Sequence, residues 1–395
     1  MSEVANIPQL RFSEFSGEWE EKKLGELCKF TQGVQIPFSE QLTKYKEGAI
    51  RYLYIRDFFT DDFPYYVKDQ YPNKVIHTDE IMMVNTGNTA GKAFMGATGV
   101  LSNNAFKVSF DKTKVSNIFL FQRITSDTIQ RRIKSFFNAG GQPHLGHKNI
   151  AIIPMGFASL KEQQKIAAFL TAVDNKIEQL SKKQALLGEY KKGLMQQIFS
   201  QAIRFKSDDG GTFPDWEEKN GNEIFDNISN KNHDSDLPIL AITQEHGAIP
   251  RDLINYKMIV SDKSVSSYKV VETGDFIISL RSFQGGIEYS NYKGICSPAY
   301  IILRPAIEIE KKFYKYYLKT YRYIQDLNRK LEGIRDGKMV SYKYFSEIKL
   351  PYPSISEQAK IANFLSSIDN KIEQVGKQLR ESKQFKKALL QQMFV

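Results

Sequence analysis

Four groups of residues in this sequence have the composition of a reactive site. GNTAGK (87–92) has the glycines and the lysine of a loop that cradles phosphate. It is one residue short, and Ala93 stands where Ser or Thr would hold a metal. SPAY (297–300) has part of the S/D/N-P-P-Y sequence with which amino-methyltransferases hold a target base. Its counterpart in the first half, NNAF (103–106), cannot serve that role, and no glycine-rich loop for a methyl donor is visible. PDWEEK (214–219) has the letters of a nuclease site, but the acids are packed too close in sequence, and the related GEWEEK (17–22) lacks the Pro-Asp. The histidines, His77, His144, His147, His233 and His246, show no metal-ligand spacing. These segments read as a hairpin turn, a strand and an entry segment. Cys28 and Cys296 make neither a disulfide framework nor a zinc site.

A second chemistry fits better. Contacts to nucleic-acid phosphates need Lys and Arg, and base edges need Arg, Asn, Gln, Ser or Thr. Asn85, Thr86, Asn88, Thr89 and Lys92 share one expected loop, and Gln142, His144, His147 and Lys148 share another. The second half offers Arg281, Ser282 and Gln284 at the equivalent of the first loop, then Arg335, Lys338 and Lys343. Each alone could be a solvated loop residue; their recurrence at corresponding places gives the group its weight. Gly87, Gly91, Gly285 and Gly286 would let the backbone come close to DNA, or only make turns. A net charge of +10 suits a polyanionic partner.

Such loops must be positioned, and the chain positions them twice. FLTAVDNKIEQ (169–179) returns as FLSSIDNKIEQ (364–374), 195 positions later. Glu162–Gln163 answers Glu357–Gln358, and Tyr190-Lys191-Lys192 answers Phe385-Lys386-Lys387. The two tryptophans, Trp19 and Trp216, each open W-E-E-K, each preceded by Arg-Phe at 11–12 and 204–205. Ile153–Pro154 answers Leu350–Pro351 before each repeated helix. The unit is an entry segment, a variable block, a proline and a long helix.

Steps of four and three along the first helix give Ile166, Leu170, Val173, Ile177, Leu180, Gln184, Leu187, Lys191, Leu194 and Ile198. The second gives Ile361, Leu365, Ile368, Ile372, Val375, Leu379, Ser382, Lys386, Leu389 and Met393. A 3.5-residue apolar repeat sustained this long predicts a coiled-coil seam. Forty residues of helix span roughly 60 Å. The economical partner for each helix is the other, antiparallel about a pseudo-twofold axis, with the variable blocks at opposite ends. The seam lysines Lys191 and Lys386 either extend their heads to solvent, fix the register or meet a partner. The outer face, with Asp174, Asn175, Lys176, Glu178, Asp369, Asn370, Lys371 and Glu373, is a candidate for docking partners. Because PQLRF (8–12) resembles QAIRF (201–205), which follows the first helix, the N-terminal segment should lie beside the end of the second.

In the variable blocks, 50–55, 80–86, 104–110, 275–280 and 299–304 read as strands, with helices around 116–137 and 310–331. The fold class is α+β: two strand-rich domains alternate with two long helices that pair as an antiparallel coiled coil. The expected divisions are 1–155, first domain; 156–203, central helix; 204–352, second domain; and 353–395, distal helix. The N-terminus has no signal-peptide pattern, and no run of eighteen apolar residues exists, so a cytoplasmic chain without a membrane partner is expected.

The duplicated E-Q-x-K-I-A-x-F-L-x-x-x-D-N-K-I-E-Q and x-K-K-x-L-x-Q-Q-x-F segments, the proline before each helix and the W-E-E-K entries resemble the specificity subunits of type I restriction–modification systems. The resemblance covers nearly the whole chain. GGQPHLGHKNI (140–150) resembles the loop and return strand that close a target-recognition domain in that family, whereas the second domain has GIRDGKMVSYKYFSEI (333–348), without Gln-Pro-His. The resemblance implies that each variable block reads one half of a split, asymmetric target in double-stranded DNA. It implies that the helices set the spacer and dock two adenine-methyltransferase subunits, and that motor–nuclease subunits join for restriction. No catalysis and no cofactor belong to the specificity chain itself; S-adenosylmethionine, ATP and Mg²⁺ are expected on the partner subunits. Twofold-related readers would see half-sites about one helical turn, roughly 34 Å, apart.

Two other classes compete. A stand-alone nuclease or methyltransferase would modify DNA without partners. A coiled-coil scaffold would bind partners but show no salt-dependent DNA affinity.

Overall fold

The computed structural model describes residues 6–137, 141–234, 236–254, 265–329 and 340–395. Contacts divide the chain into two compact units, Met1–Ser181 with Lys377–Val395, and Lys182–Gly376. Each unit holds one variable block and portions of both long helices, which run Leu160–Phe199 and Ile355–Gln392.

In the first unit, the W-E-E-K entry and the proline segment before the helix are two sides of one ribbon. Strand Glu20–Lys23 pairs antiparallel with Pro154–Phe157, Lys23 opposite Pro154. The body contains a four-stranded sheet ordered Cys28–Gln32, Ala105–Phe110, Ile81–Val84, Ala93–Phe94. A second sheet is ordered Tyr65–Lys68, Ala49–Leu53, Gly99–Leu101, Val75–Ile76. Strand alternation explains why Ile81–Val84 is apolar throughout. Ile81 and Met83 enter the core that contains the helices, and Met82 and Val84 enter a second, smaller core.

The second unit repeats this plan. Ribbon Glu217–Asn220 pairs with Lys349–Tyr352. Its sheet, Phe225–Ile228, Ile301–Pro305, Phe276–Ile278, Glu288–Tyr289, has the same strand order. Phe276 and Ile278 face the helix-side core, while Ile277 faces the other. The strands expected at 50–55, 80–86, 104–110, 275–280 and 299–304 are all present, with ends shifted by a few residues.

Two expectations needed correction. The helix expected at 116–137 is two helices, Asn117–Thr125 and Asp127–Lys134, and 310–331 likewise splits into Lys311–Tyr317 and Tyr321–Arg329, with 330–331 outside the described residues. The cause is the same in both halves. The Ser126 hydroxyl donates to the Arg123 carbonyl at 2.7 Å, and the Thr320 hydroxyl donates to Tyr317 at 2.8 Å, so each side chain competes for a last-turn carbonyl. SPAY, expected as strand, is a turn that precedes strand Ile301–Pro305.

Within each unit the two long helices run antiparallel. In the first, Ile166 and Leu170, near the start of the central helix, share a core with Leu389 and Met393, near the end of the distal one. In the second, Ile198 and Phe199 at the end of the central helix share a core with Ile361, Leu365 and Ile368 at the start of the distal one. Every seam residue among Val173, Ile177, Leu180, Leu187, Leu194, Ile372, Val375 and Leu379 is buried or half-buried. The seam lysines reach across rather than out to solvent. Lys386 meets Asp174 at 2.6 Å, and Lys191 meets Asp369 at 2.6 Å. From one pair to the other both partners move by 195 positions, in opposite directions, as a shared antiparallel register requires. Asp174 also accepts from Gln122 at 2.7 Å, and Asp369 from the Tyr316 hydroxyl at 2.7 Å. These pairs are half-exposed, so screening keeps each one weak. A double-mutant cycle on Lys191→Ala and Asp369→Ala should give a coupling of about 0.5–1 kcal/mol that shrinks in high salt. A coupling of zero would leave the pair no part in fixing the register.

The N-terminal segment lies where the repeat predicts. The Leu10 N–H donates to the Gln392 carbonyl at 2.9 Å, and at the equivalent place in the second unit the Ile203 N–H donates to Gln197 at 3.2 Å. Phe12 packs edge-on against Phe169 and Phe205 against Phe364. Among the described residues no helix is long and apolar enough to cross a membrane.

Candidate nucleic-acid interface

The two loops of the first domain that the sequence presents 50 residues apart come together. Strands Ile81–Val84 and Ala93–Phe94 form a hairpin closed by the Val84 N–H on the Lys92 carbonyl at 2.9 Å. GNTAGK is therefore a hairpin connection, and Gly87 and Gly91 supply the positive φ it needs, 95° and 82°. A Cβ on Gly91 would stand 2.5 Å from Ile133, because the loop lies close against helix Asp127–Lys134. The Gln-Pro-His segment runs alongside. The Gly87 N–H donates to the Pro143 carbonyl at 3.0 Å, the Leu145 N–H donates to Asn85 at 2.7 Å, and Thr86 Oγ1 lies 3.1 Å from His144 Nδ1.

Asn88, Lys92, Gln142, His144 and Lys148 are exposed on this joined surface, with Thr86 and Thr89 half-buried. Asn85 is 6% exposed and serves the loops through its backbone. His147 packs on Phe106 at 4.7 Å and on Phe30 at 6.0 Å. Burial, with His144 nearby, lowers its pKa, so the ring is a neutral packing group at physiological pH. The resemblance places a return strand within 140–150, but His147–Ala151 is a short helix and the strand lies after it, at Pro154–Phe157.

In the second domain Arg281 and Gln284 are exposed at the equivalent connection, while Ser282 is 1% exposed and accepts the Ser279 N–H at 2.9 Å. That serine braces the loop. Gln244, from the Thr243–Gly247 turn, donates to the Arg281 carbonyl at 3.4 Å, which brings a second loop to the same place. Gly286 has φ 80°, and a Cβ there would meet the Leu318 carbonyl oxygen at 2.1 Å. Lys343 is exposed on helix Tyr342–Ser346, in the same position that Lys148 holds on helix His147–Ala151. Arg335 and Lys338 lie outside the described residues.

The structure adds residues that sequence reading passed over. Gln32, Gln35, Asn103 and Asn104 form an amide-rich ledge beside the first loop. The Asn85 N–H donates to the Asn104 carbonyl at 3.0 Å, Gln32 Nε2 to the Ala105 carbonyl at 3.2 Å, and Asn103 Nδ2 to Gln35 Oε1 at 3.3 Å. Gly33 makes the approach possible, since a Cβ there would lie 2.0 Å from the Ser102 carbonyl oxygen. The available signal is the pair of asparagines at the head of the strand expected at 104–110.

On the helices, Asn175, Lys176, Glu178, Asn370, Lys371 and Glu373 are exposed, while Asp174 and Asp369 are engaged between the helices. Among the described residues no group of three or more His, Cys, Asp or Glu could hold a metal ion. Cys28 and Cys296 are buried, and desolvation pushes each thiol up to about 12, far from a reactive thiolate.

Comparison with known proteins agrees with this geometry. The family model for the type I restriction modification DNA specificity domain matches residues 16–187 and again 214–381. The chain is 27% identical over 400 residues to the type I restriction enzyme MjaVIII specificity subunit of Methanocaldococcus jannaschii, covering 94% of this chain and 91% of that protein. In fold it is similar to the S subunit of a type I restriction–modification system from M. genitalium, with a TM-score of 0.60, 16% identity, and 98% and 99% of the two chains covered. It is also similar to a chain from a structure concerned with complex assembly and conformational transition of the type I R-M system. There the TM-score is 0.56, identity 19%, and coverage 94% and 96%.

Proposed function

Because this chain belongs to the family of type I restriction–modification DNA specificity domains, we propose that it is the non-catalytic subunit that chooses the DNA target for such a complex. Each target-recognition domain reads one half of a split, asymmetric sequence. The observation that carries this reading is the recurrence, in two domains that share the strand order of one four-stranded sheet, of exposed polar loops at the same hairpin connection. Divergent side chains on a common frame suit two different half-sites.

The division of labour follows the repeat: recognition by 1–155 and 204–352, spacing by the helices in 156–203 and 353–395. Asn88, Lys92, Gln142, His144 and Lys148 contact DNA in the first domain, and Arg281, Gln284 and Lys343 in the second. Lysines and arginines meet phosphates and the neutral polar groups meet base edges. Asn85, Thr86, Thr89, His147 and Ser282 hold those loops in shape. The exposed helix faces dock two adenine-methyltransferase subunits, and motor–nuclease subunits complete the restriction complex. S-adenosylmethionine, ATP and Mg²⁺ act on those partners, in the cytoplasm.

A long-read map of methylated adenines, with the gene intact and deleted, tests the reading. Deletion should abolish methylation at one split motif. An unchanged map from a complex shown to be active would overturn it and favour a scaffold without DNA readout.

A further inference from the structure

The ledge beside the first domain's loops carries an inference that rests on the DNA-reading function and makes it specific. We infer that Gln35, Asn103 and Asn104 read an adenine·thymine pair through the major groove, as the base-selecting group of the first half-site.

The first support is chemical matching. A side-chain amide presents one donor and one acceptor side by side. In the major groove adenine offers the complementary pair, the N7 acceptor and the N6 donor. Guanine offers two acceptors, cytosine a donor alone, and thymine an acceptor and a methyl group. An amide therefore bonds twice only to adenine.

The second support is availability. Gln35, Asn103 and Asn104 are exposed. Asn103 spends one N–H on Gln35 Oε1, which leaves Asn103 Oδ1 and the Gln35 amide nitrogen without a partner among the described residues. The Asn104 side chain makes no hydrogen bond among the described residues, although its backbone carbonyl is fixed by Asn85. Gln32, by contrast, is committed to backbone carbonyls and braces the turn. Backbone hydrogen bonds and Gln32 hold the ledge beneath its free amides, the kind of support that preorganised readout uses.

The third support is the neighbouring surface. Asn104 shares a hollow of about 360 Å³ with Phe38, Tyr54, Arg56 and Tyr65. Phe38 is 75% exposed and packs edge-on against Tyr65 at 6.4 Å. An exposed apolar ring beside a free amide suits the methyl group of the thymine paired with that adenine. Arg56, the residue type that would select guanine, lines the same hollow but is drawn back onto the rings. Its guanidinium lies over Tyr54 at 5.4 Å and Tyr65 at 5.1 Å, and it donates to the Phe63 carbonyl at 3.1 Å.

The test uses the complete complex in cells and maps methylated adenines for the unaltered chain and for Asn104→Ala, Gln35→Ala and Asn104→Asp. The alanine variants should keep the split motif but lose discrimination at one A·T pair of one half-site, by roughly 5- to 150-fold. Asn104→Asp, which presents acceptors alone, should shift preference at that pair toward cytosine. Unchanged motifs in all three variants, or relaxation at a G·C pair, would overturn the assignment. If the unaltered, active complex shows no split motif, the DNA-reading function itself fails, so the two failures are distinguishable. Restored discrimination in a chain carrying Asn104→Gln would exclude simple misfolding as the cause in Asn104→Ala.

Discussion

Exchanging residues 215–350 for the corresponding block of another specificity subunit is expected to replace one half of the methylated motif completely and leave the other half unchanged. The block contains its own sheet, Phe225–Ile228 to Glu288–Tyr289, and a smaller core around Leu240, Ile277 and Ile302 that the long helices do not enter. Its two ends are adjacent, because Glu217–Asn220 pairs with Lys349–Tyr352. A block that starts and finishes on one ribbon can be replaced without re-routing the chain, provided the incoming block keeps the tryptophan and runs into Pro351, which stays with the recipient chain. Residues Met1–Ser181 and Lys377–Val395 form a unit with a separate core and would be untouched. The measurement is the methylated motif before and after exchange. A change in both half-sites would show that the domains do not read independently.

Replacing Glu357 by alanine is expected to destabilise the chain by about 3 kcal/mol. Glu357 is the first repeated acid of its helix and is fully buried. It accepts from Arg204 at 3.3 and 2.9 Å and from Trp216 Nε1 at 2.9 Å. Removing the carboxylate leaves the indole N–H without its acceptor and leaves a guanidinium, only about a quarter exposed, with the Phe213 and Pro214 carbonyls and Asp215 as its remaining partners. Loss of one partner in such a group costs more than the net worth of the pair, because desolvation is no longer offset. Glu162 stands in the same position and accepts from Arg11 at 2.7 and 2.8 Å and from Trp19 at 3.2 Å, so Glu162→Ala should behave alike. Glu357→Gln keeps an acceptor and should lose less. Urea unfolding of the three variants decides the matter. A loss below about 1 kcal/mol in Glu357→Ala would place this contact among ordinary surface interactions.

This Arg–Glu–Trp contact also shows how far the sequence could be read. Arg11, Trp19 and Glu162 were all visible as repeat landmarks, each matched by a partner in the second half. That they converge on one buried carboxylate was not visible. A repeat reports which positions are equivalent, and not which of them touch. The seam was legible for a different reason: helical period and apolar spacing are local, and an apolar stripe has to be covered. The loops were legible as polar and glycine-containing, but not as neighbours. Thr86 and His144 meet only because the hairpin and the segment after helix Asp127–Lys134 return to one edge.

By itself, then, the amino-acid sequence determined the duplication, the α+β class, the two long helices with their seam and the family. All of these follow from periodicities and repeated motifs that survive translation along the chain. Only the tertiary structure decided that Lys191 and Lys386 are inter-helix ion pairs, that Ser282 and Asn85 turn inward, and that Gln35, Asn103 and Asn104 share a ledge. Those outcomes depend on which side of a strand or turn a residue occupies and on what is packed opposite. A one-residue change of register reverses the first, and distant segments supply the second.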